Sequence, residues 1–174
     1  FLLGQIKSAT SIAALTKTFD ALNTGSLPAA AILDLLNAAE STGDSTLQAS
    51  VAAYRAANAK DGDKVSEWSE CMEGGDLENG KTIFFGRASA SCRRCHKVNG
   101  NGADVGPDLS AVAKDKDRRY LLEAIVDPNA KIAKDFETTI IVDFDGRIHS
   151  GIIKEETDKF VKLMTPQGAI ITVA

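Results

Sequence analysis

The sequence predicts a mainly α chain with a small antiparallel β unit towards its end. Three observations carry that expectation. Apolar residues recur at helical spacing through residues 1–60 and again around Tyr120. After Phe136 the pattern changes to alternation, and an Asp145-Gly146 pair stands between two alternating runs. The totals suit a globular protein: 174 residues, 44% hydrophobic and 25% charged, enough to bury a core as one domain or two small ones. A formal charge of −4 argues against a general nucleic-acid binder. No apolar run reaches the length of a membrane span. The chain opens Phe1-Leu2-Leu3-Gly4, with neither methionine nor a signal peptide, and reads as a piece of a longer or processed protein.

Each element has its own signals. Ile12, Leu15, Phe19 and Leu22 fall on one helical stripe, which Asn23-Thr24-Gly25 ends. Ser26 is expected to cap a second helix, with Pro28 in its first turn and Ile32, Leu33, Leu36 and Ala39 inward. After the break at Ser41-Thr42-Gly43-Asp44, a third helix carries Leu47, Val51 and Tyr54. Short alanine-rich helices of this kind suit a small bundle or the end of a helical repeat array. Residues 61–75 read as a linker in which Val65, Trp68, Cys71 and Met72 share a helical face. Asp76 is expected to cap a short helix through Ile83-Phe84-Phe85, which Gly86 releases. Asp115 or Asp117 starts another through Tyr120, Leu121, Ile125 and Val126, stopped by Asp127-Pro128. Beyond Phe136, Ile140, Val142 and Phe144 face one way before the Asp145-Gly146 turn, read as a two-residue hairpin. Ile148, Ile152 and Ile153 return, and Phe160–Met164 and Ala169–Val173 complete a four-stranded meander.

The chemistry sits in Cys92-Arg93-Arg94-Cys95-His96. Two cysteines separated by two residues and followed at once by histidine form the attachment signature of c-type haem. One tight turn presents both thiols to the two vinyl groups of a porphyrin, and the next residue aims a ring nitrogen at the iron. The thioethers fix the ring, so His96 ligates at very high effective concentration. Three cysteines make a poor disulfide framework. With two on haem, Cys71 remains as a small, partly buried thiol.

Around the pentapeptide, Phe84-Phe85, Gly106-Pro107-x-Leu109 and Tyr120-Leu121 stand in the order found in class I cytochrome c, which the chain resembles. Gly74-Gly75-Asp76, Gly80-Lys81-x-Ile83-Phe84, Cys95-His96-Lys97-Val98, Val105-Gly106-Pro107-Asp108-Leu109 and Asp127-Pro128-Asn129-Ala130 are similar to one branch of it. That branch is the haem-binding domain family of the planctomycete–verrucomicrobial type, and the resemblance covers about residues 74–174. It implies one haem c (iron) per chain, with Cys92 and Cys95 as thioethers and His96 as the proximal iron ligand. The backbone carbonyl of Pro107 would accept the His96 ring N–H. Leu109, Phe85, Leu121 and Ile125 would wall the ring or serve as plain core. Arg87, Arg93, Arg94 and Lys97 would form a basic rim, for propionates, for an acidic redox partner, or simply solvated. The chain is expected to divide into a helical bundle or the end of a helical repeat array over 1–60, a linker over 61–75, a cytochrome c-like haem core over 76–135, and an antiparallel β meander of the same haem domain over 136–174.

The resemblance lacks one part. In that branch a methionine ligand and a closing helix come after the strands, and this chain stops at Ile171-Thr172-Val173-Ala174. Either the sequence is truncated or the distal ligand lies elsewhere, with Met164, His149 and Met72 as candidates beside water, an open position or a partner's side chain. The expected function is single-electron transfer from an associated dehydrogenase to an external acceptor, more an electron-transfer module than an enzyme alone. A haem-based ligand-binding or peroxidase-like domain with an open distal site is the alternative. Zinc on Cys71, Cys92, Cys95 and a histidine is a third reading, which leaves the Gly-Pro loop unexplained. Thioether attachment implies a bacterial, periplasmic or otherwise extracytoplasmic site, with a redox partner protein or dehydrogenase domain and no nucleic acid.

Overall fold

A computed structural model describes residues 2–174. It is mainly helical with small antiparallel sheets, as the periodicities predict. The contacts divide it into two compact units, one running through Leu77 and including Arg118–Asp127, the other holding Glu78–Asp117 and Pro128–Ala174.

The first unit begins with α1 (Leu2–Gln5), α2 (Ala9–Asn23), α3 (Ala29–Thr42) and α4 (Ser45–Asn58). Their stripes meet in one core of Leu15, Phe19, Leu35, Leu36, Ala38, Ala39, Leu47 and Val51, with Ile12, Ile32 and Tyr54 packed against it. Helix α2 starts in a capping box built from two serines. Ser8 Oγ accepts the Ser11 N–H, and Ser11 Oγ accepts the Ser8 N–H, each at 3.1 Å. Asp44 caps α4 through the N–H groups of Thr46 and Leu47. Ser26 does not cap α3. Its hydroxyl donates instead to Ala21 O, closing the end of α2, while Pro28 occupies the cap position without a side-chain bond.

Residues 61–75 belong to the first unit. In a 3-10 segment, Ser66–Met72, Ser66 and Glu70 are buried, as is Val65 just before it. The backbone leaves helical geometry at Trp68 (φ −124°, ψ 22°), so the expected stripe splits: Val65 is buried and Trp68 is 43% exposed. The Glu70 carboxylate, buried, is paired by Arg55, whose guanidinium also binds Glu40 at 2.6 Å and lies over the Trp68 ring. Helix α7 (Arg118–Val126) groups with this unit for a visible reason. Arg119 is bidentate on Asp63 at 2.9 Å, Arg118 donates to Met72 O at 2.7 Å, and Lys64 pairs with Asp127.

The second unit takes in helix α5 (Leu77–Gly86) from Glu78 on, where Phe84 and Phe85 meet edge to face with centroids 4.9 Å apart. Strands β1 (Lys97–Val98) and β2 (Asn101–Gly102) pair across a turn whose residues Asn99 and Gly100 both have positive φ. Helix α6 is Val112–Asp115. Strands β3 (Thr138–Val142), β4 (Ile148–Glu156), β5 (Val161–Met164) and β6 (Ile170–Val173) form the expected meander in sequence order. Leu163 and Val173 are buried on one face. Gly151, at the crossing of β4 and β5, leaves no room for a side chain, because an added Cβ would stand 2.6 Å from Met164 O. The opposite face is open at the hairpin end, where Ile140, Val142 and Ile148 are each more than 60% exposed.

The hairpin turn differs from expectation. The Gly146 N–H donates to Asp143 O, so Phe144 and Asp145 are the central residues and Gly146 follows in the left-handed region at φ 79°. This is a three-residue loop, a turn followed by a glycine bulge. Asp143 explains the shift, since its carboxylate accepts the Asp145 and Arg147 N–H groups and sets the turn one residue earlier.

Candidate functional site

The site is built on one turn of 3-10 helix, Cys92–Arg94, entered through Ser91 in the left-handed region. The N–H groups of Cys95 and His96 both donate to Cys92 O, at 3.2 and 2.9 Å. That double bond to one carbonyl folds Cys92, Cys95 and His96 into a single loop. Both cysteines are free, half-buried thiols.

The loop that follows His96 returns to cover its ring. The His96 Nδ1–H donates to Pro107 O at 2.9 Å. A carbonyl can only accept, so this bond places the proton on Nδ1 and leaves the lone pair of the neutral imidazole on Nε2. Backbone bonds on either side hold the register. Gly106 N–H donates to Cys95 O at 2.7 Å, and Leu109 N–H donates to Lys97 O at 2.8 Å. Gly106 lies flat on the ring, where an added Cβ would stand 2.8 Å from His96 Cε1 and 3.0 Å from Nδ1. Only glycine lets the backbone come that close.

Side chains complete the brace. Lys97 pairs with Asp104 and reaches Asp108 at 3.9 Å, so it is engaged within its own loop instead of standing in an open basic rim. Arg93, exposed, donates to Phe85 O at 3.2 Å. Asp108 accepts both the Ser110 N–H at 2.8 Å and the Ser110 hydroxyl at 2.5 Å. Ser110 Oγ in turn accepts the Asn99 N–H at 2.7 Å. The Ser110 bonds, first among the causes, hold the Asp108 carboxyl below its ordinary value. Sequence reasoning missed Asp104, Ser110 and Asn99. The Asp-x-Ser spacing at 108–110 is the one local signal that could have found part of the set.

The remaining expected site residues divide between the units. Phe85 and Leu109 are half-buried in the second unit with the cysteines and His96. Leu121, Ile125 and Met72 belong to the first, where all three line a hollow of about 680 Å3 together with Ala30, Asp34 and Arg118. Among the distal candidates of the second unit, Met164 is a β5 residue only 8% exposed. His149 on β4 donates its Nε2–H to Asp143 Oδ2 at 2.9 Å, so its outer nitrogen is already engaged. Among the described residues no three His, Cys, Asp or Glu side chains gather as a metal-binding group.

Residues 77–156 match the family model described as Cytochrome c, a span that takes in the Cys92–His96 turn, the Gly106-Pro107 loop and strands β3 and β4. No curated protein is similar enough to match the chain. That stretch is therefore a cytochrome c-like, haem-binding domain of the electron-transfer kind. Members of the family bind haem c covalently, typically one per domain. The donor set fits such a group: two free thiols and a histidine in one turn, with the inner ring nitrogen bound to a carbonyl and the outer one without a hydrogen-bond partner among the described residues. Among the described residues, no helix is long and apolar enough to cross a membrane.

Proposed function

We propose that this chain is the electron-transfer module of a bacterial, extracytoplasmic redox system, relaying single electrons from an associated dehydrogenase to an external acceptor. One observation carries the reading. The His96 Nδ1–H bond to Pro107 O, with Gly106 against the ring, dedicates Nε2 to an iron beside two free thiols. Haem c, when bound, supplies a one-electron iron couple. The chain's own residues do the rest. Cys92 and Cys95 fix the porphyrin by thioethers, and His96 is the proximal ligand. Pro107 orients the imidazole and raises its basicity. Phe85 and Leu109 supply apolar wall in the same unit. Leu121 and Ile125 are assigned to the wall on the resemblance alone, as is membership of the planctomycete–verrucomicrobial branch. The sheet β3–β6 is assigned to the haem domain, supported by the approach of Gly168 to Val105 beside the Gly106-Pro107 loop.

A second reading has an observation in its favour. His149 is tied to Asp143 and Met164 is enclosed in its strand, which favours a distal ligand other than these two, or an open position. Visible spectra of the oxidised and reduced protein, the latter with and without carbon monoxide, separate the readings. A low-spin spectrum indifferent to carbon monoxide is the result expected for electron transfer. A high-spin spectrum that shifts with carbon monoxide would replace it with ligand binding at an open iron.

A further inference from the structure

Lys97 follows His96 directly, and its place in the fold suggests a task other than greeting an acidic partner. Its ammonium lies between Asp104 and Asp108. Those two carboxylates bracket the segment Val105-Gly106-Pro107, which covers the His96 ring and carries the carbonyl that accepts its proton. The lysine side chain is 28% exposed, against 76% for Asp104 and 48% for Asp108, so it is the shielded centre of the group. Asp108 passes the constraint on: its other oxygen holds Ser110, and Ser110 holds the Asn99 N–H at the β1–β2 turn. A closed circuit therefore runs from Lys97 through Asp108 and Ser110 to Asn99, two residues beyond Lys97. Pro107 sits inside it.

We infer that Lys97 is a positioning residue for the proximal histidine, pinning both ends of the 104–108 loop so that Pro107 O stays on His96 Nδ1. The inference rests on His96 being the iron ligand. Its consequence has a definite sign. A firm hydrogen bond to the remote nitrogen makes an imidazole a stronger donor and favours the oxidised iron. Loosening the loop weakens that bond and raises the reduction potential. Removing the positive charge alone acts the other way, since it favours the oxidised, more positive centre. The two effects can be separated by a variant that breaks the brace without changing net charge.

The experiment uses the haem-loaded protein and four variants: Lys97→Arg, Lys97→Met, Lys97→Met with Asp104→Asn, and Ser110→Ala. Haem content per chain is measured first, and the midpoint potential and amide exchange at Gly106 and Leu109 next. The charge-neutral pair is expected to raise the potential and to speed exchange at both amides about tenfold or more. Lys97→Arg should restore both to the parent values, and Lys97→Met should give a potential below that of the pair. Ser110→Ala breaks the other arm of the circuit with no change of charge. It should raise the potential by less, and it carries the test if the pair fails to load haem. A parent protein that binds no haem, or whose visible spectrum is unchanged by His96→Ala, would overturn the assignment of His96 itself. Full haem loading with a potential unchanged or lowered in the pair, or in Ser110→Ala if the pair fails, would overturn the role of Lys97 alone.

Discussion

The two histidines of this chain make the same kind of bond with opposite results. Each gives a ring N–H to an oxygen 2.9 Å away. His96 gives its inner nitrogen, Nδ1, to a backbone carbonyl, and the outer nitrogen at the tip of the ring keeps its lone pair. His149 gives the outer nitrogen itself to the Asp143 carboxylate, inside a hairpin where that carboxylate also accepts the Arg147 and Asp145 N–H groups. The first arrangement presents a ligand, and the second spends one on holding a turn. Residue type alone does not separate them. The nitrogen engaged does.

The largest test of that contrast is loss of the cofactor. Cys92→Ala with Cys95→Ala should abolish covalent haem, and His96→Ala should abolish the native visible spectrum. His149→Ala should leave both intact, as read by absorbance of the purified proteins. A spectrum altered by His149→Ala would dissolve the distinction between the two sites.

Next in size is crowding of the ring. Gly106→Ala places a methyl 2.8 Å from His96 Cε1, and neither the ring nor the backbone, held by Cys95 O, can easily yield. A loss of about 1–3 kcal/mol in stability is expected, with a change in the haem spectrum. Gly151→Ala meets Met164 O at 2.6 Å and should cost a similar amount of stability in thermal melts. The haem spectrum should stay as it was, because that strain falls in the His149 region.

The pH dependence gives a smaller effect confined to the hairpin. The His149 ring N–H, then the Arg147 and Asp145 N–H groups, hold the Asp143 carboxyl below its ordinary 3.8. A carboxyl lowered in the folded chain stabilises it fully above the unfolded value, and that contribution disappears as pH falls through the folded one. Asp143→Asn should therefore lower stability at neutral pH and flatten its decline below about pH 4, measured by denaturant midpoints across acid pH. The smallest effect is that of Ser26→Ala. Its hydroxyl closes an exposed helix end through Ala21 O, so about 0.5–1 kcal/mol is expected.

The legible parts of the fold were those governed by short-range pattern. Helical stripes gave α2, α3 and α4, because each buries a face against its neighbours. Alternation with turn residues gave the meander β3–β6 in order. What stayed hidden was decided by partners distant in sequence. Nothing near Glu70 announces that Arg55 will pair with it. The hairpin moved by one residue because Asp143 bonds forward into the turn, a local competition that an Asp-Gly pair masks. At the site, the cysteines and His96 were visible because their spacing is set by covalent chemistry, and Pro107 was visible through the resemblance to class I cytochrome c. The pairing of Lys97, expected in the basic rim, is not legible in the sequence, since its two carboxylates come within reach only after the loop has folded back.

Cys92, Cys95 and His96 are proposed to hold one covalent haem. The most direct test is the intact mass of the protein after maturation in an extracytoplasmic compartment and acid-acetone extraction. A chain heavier by one haem is expected, with bare mass for Cys92→Ala with Cys95→Ala. A parent chain that emerges from extraction at bare polypeptide mass would contradict it.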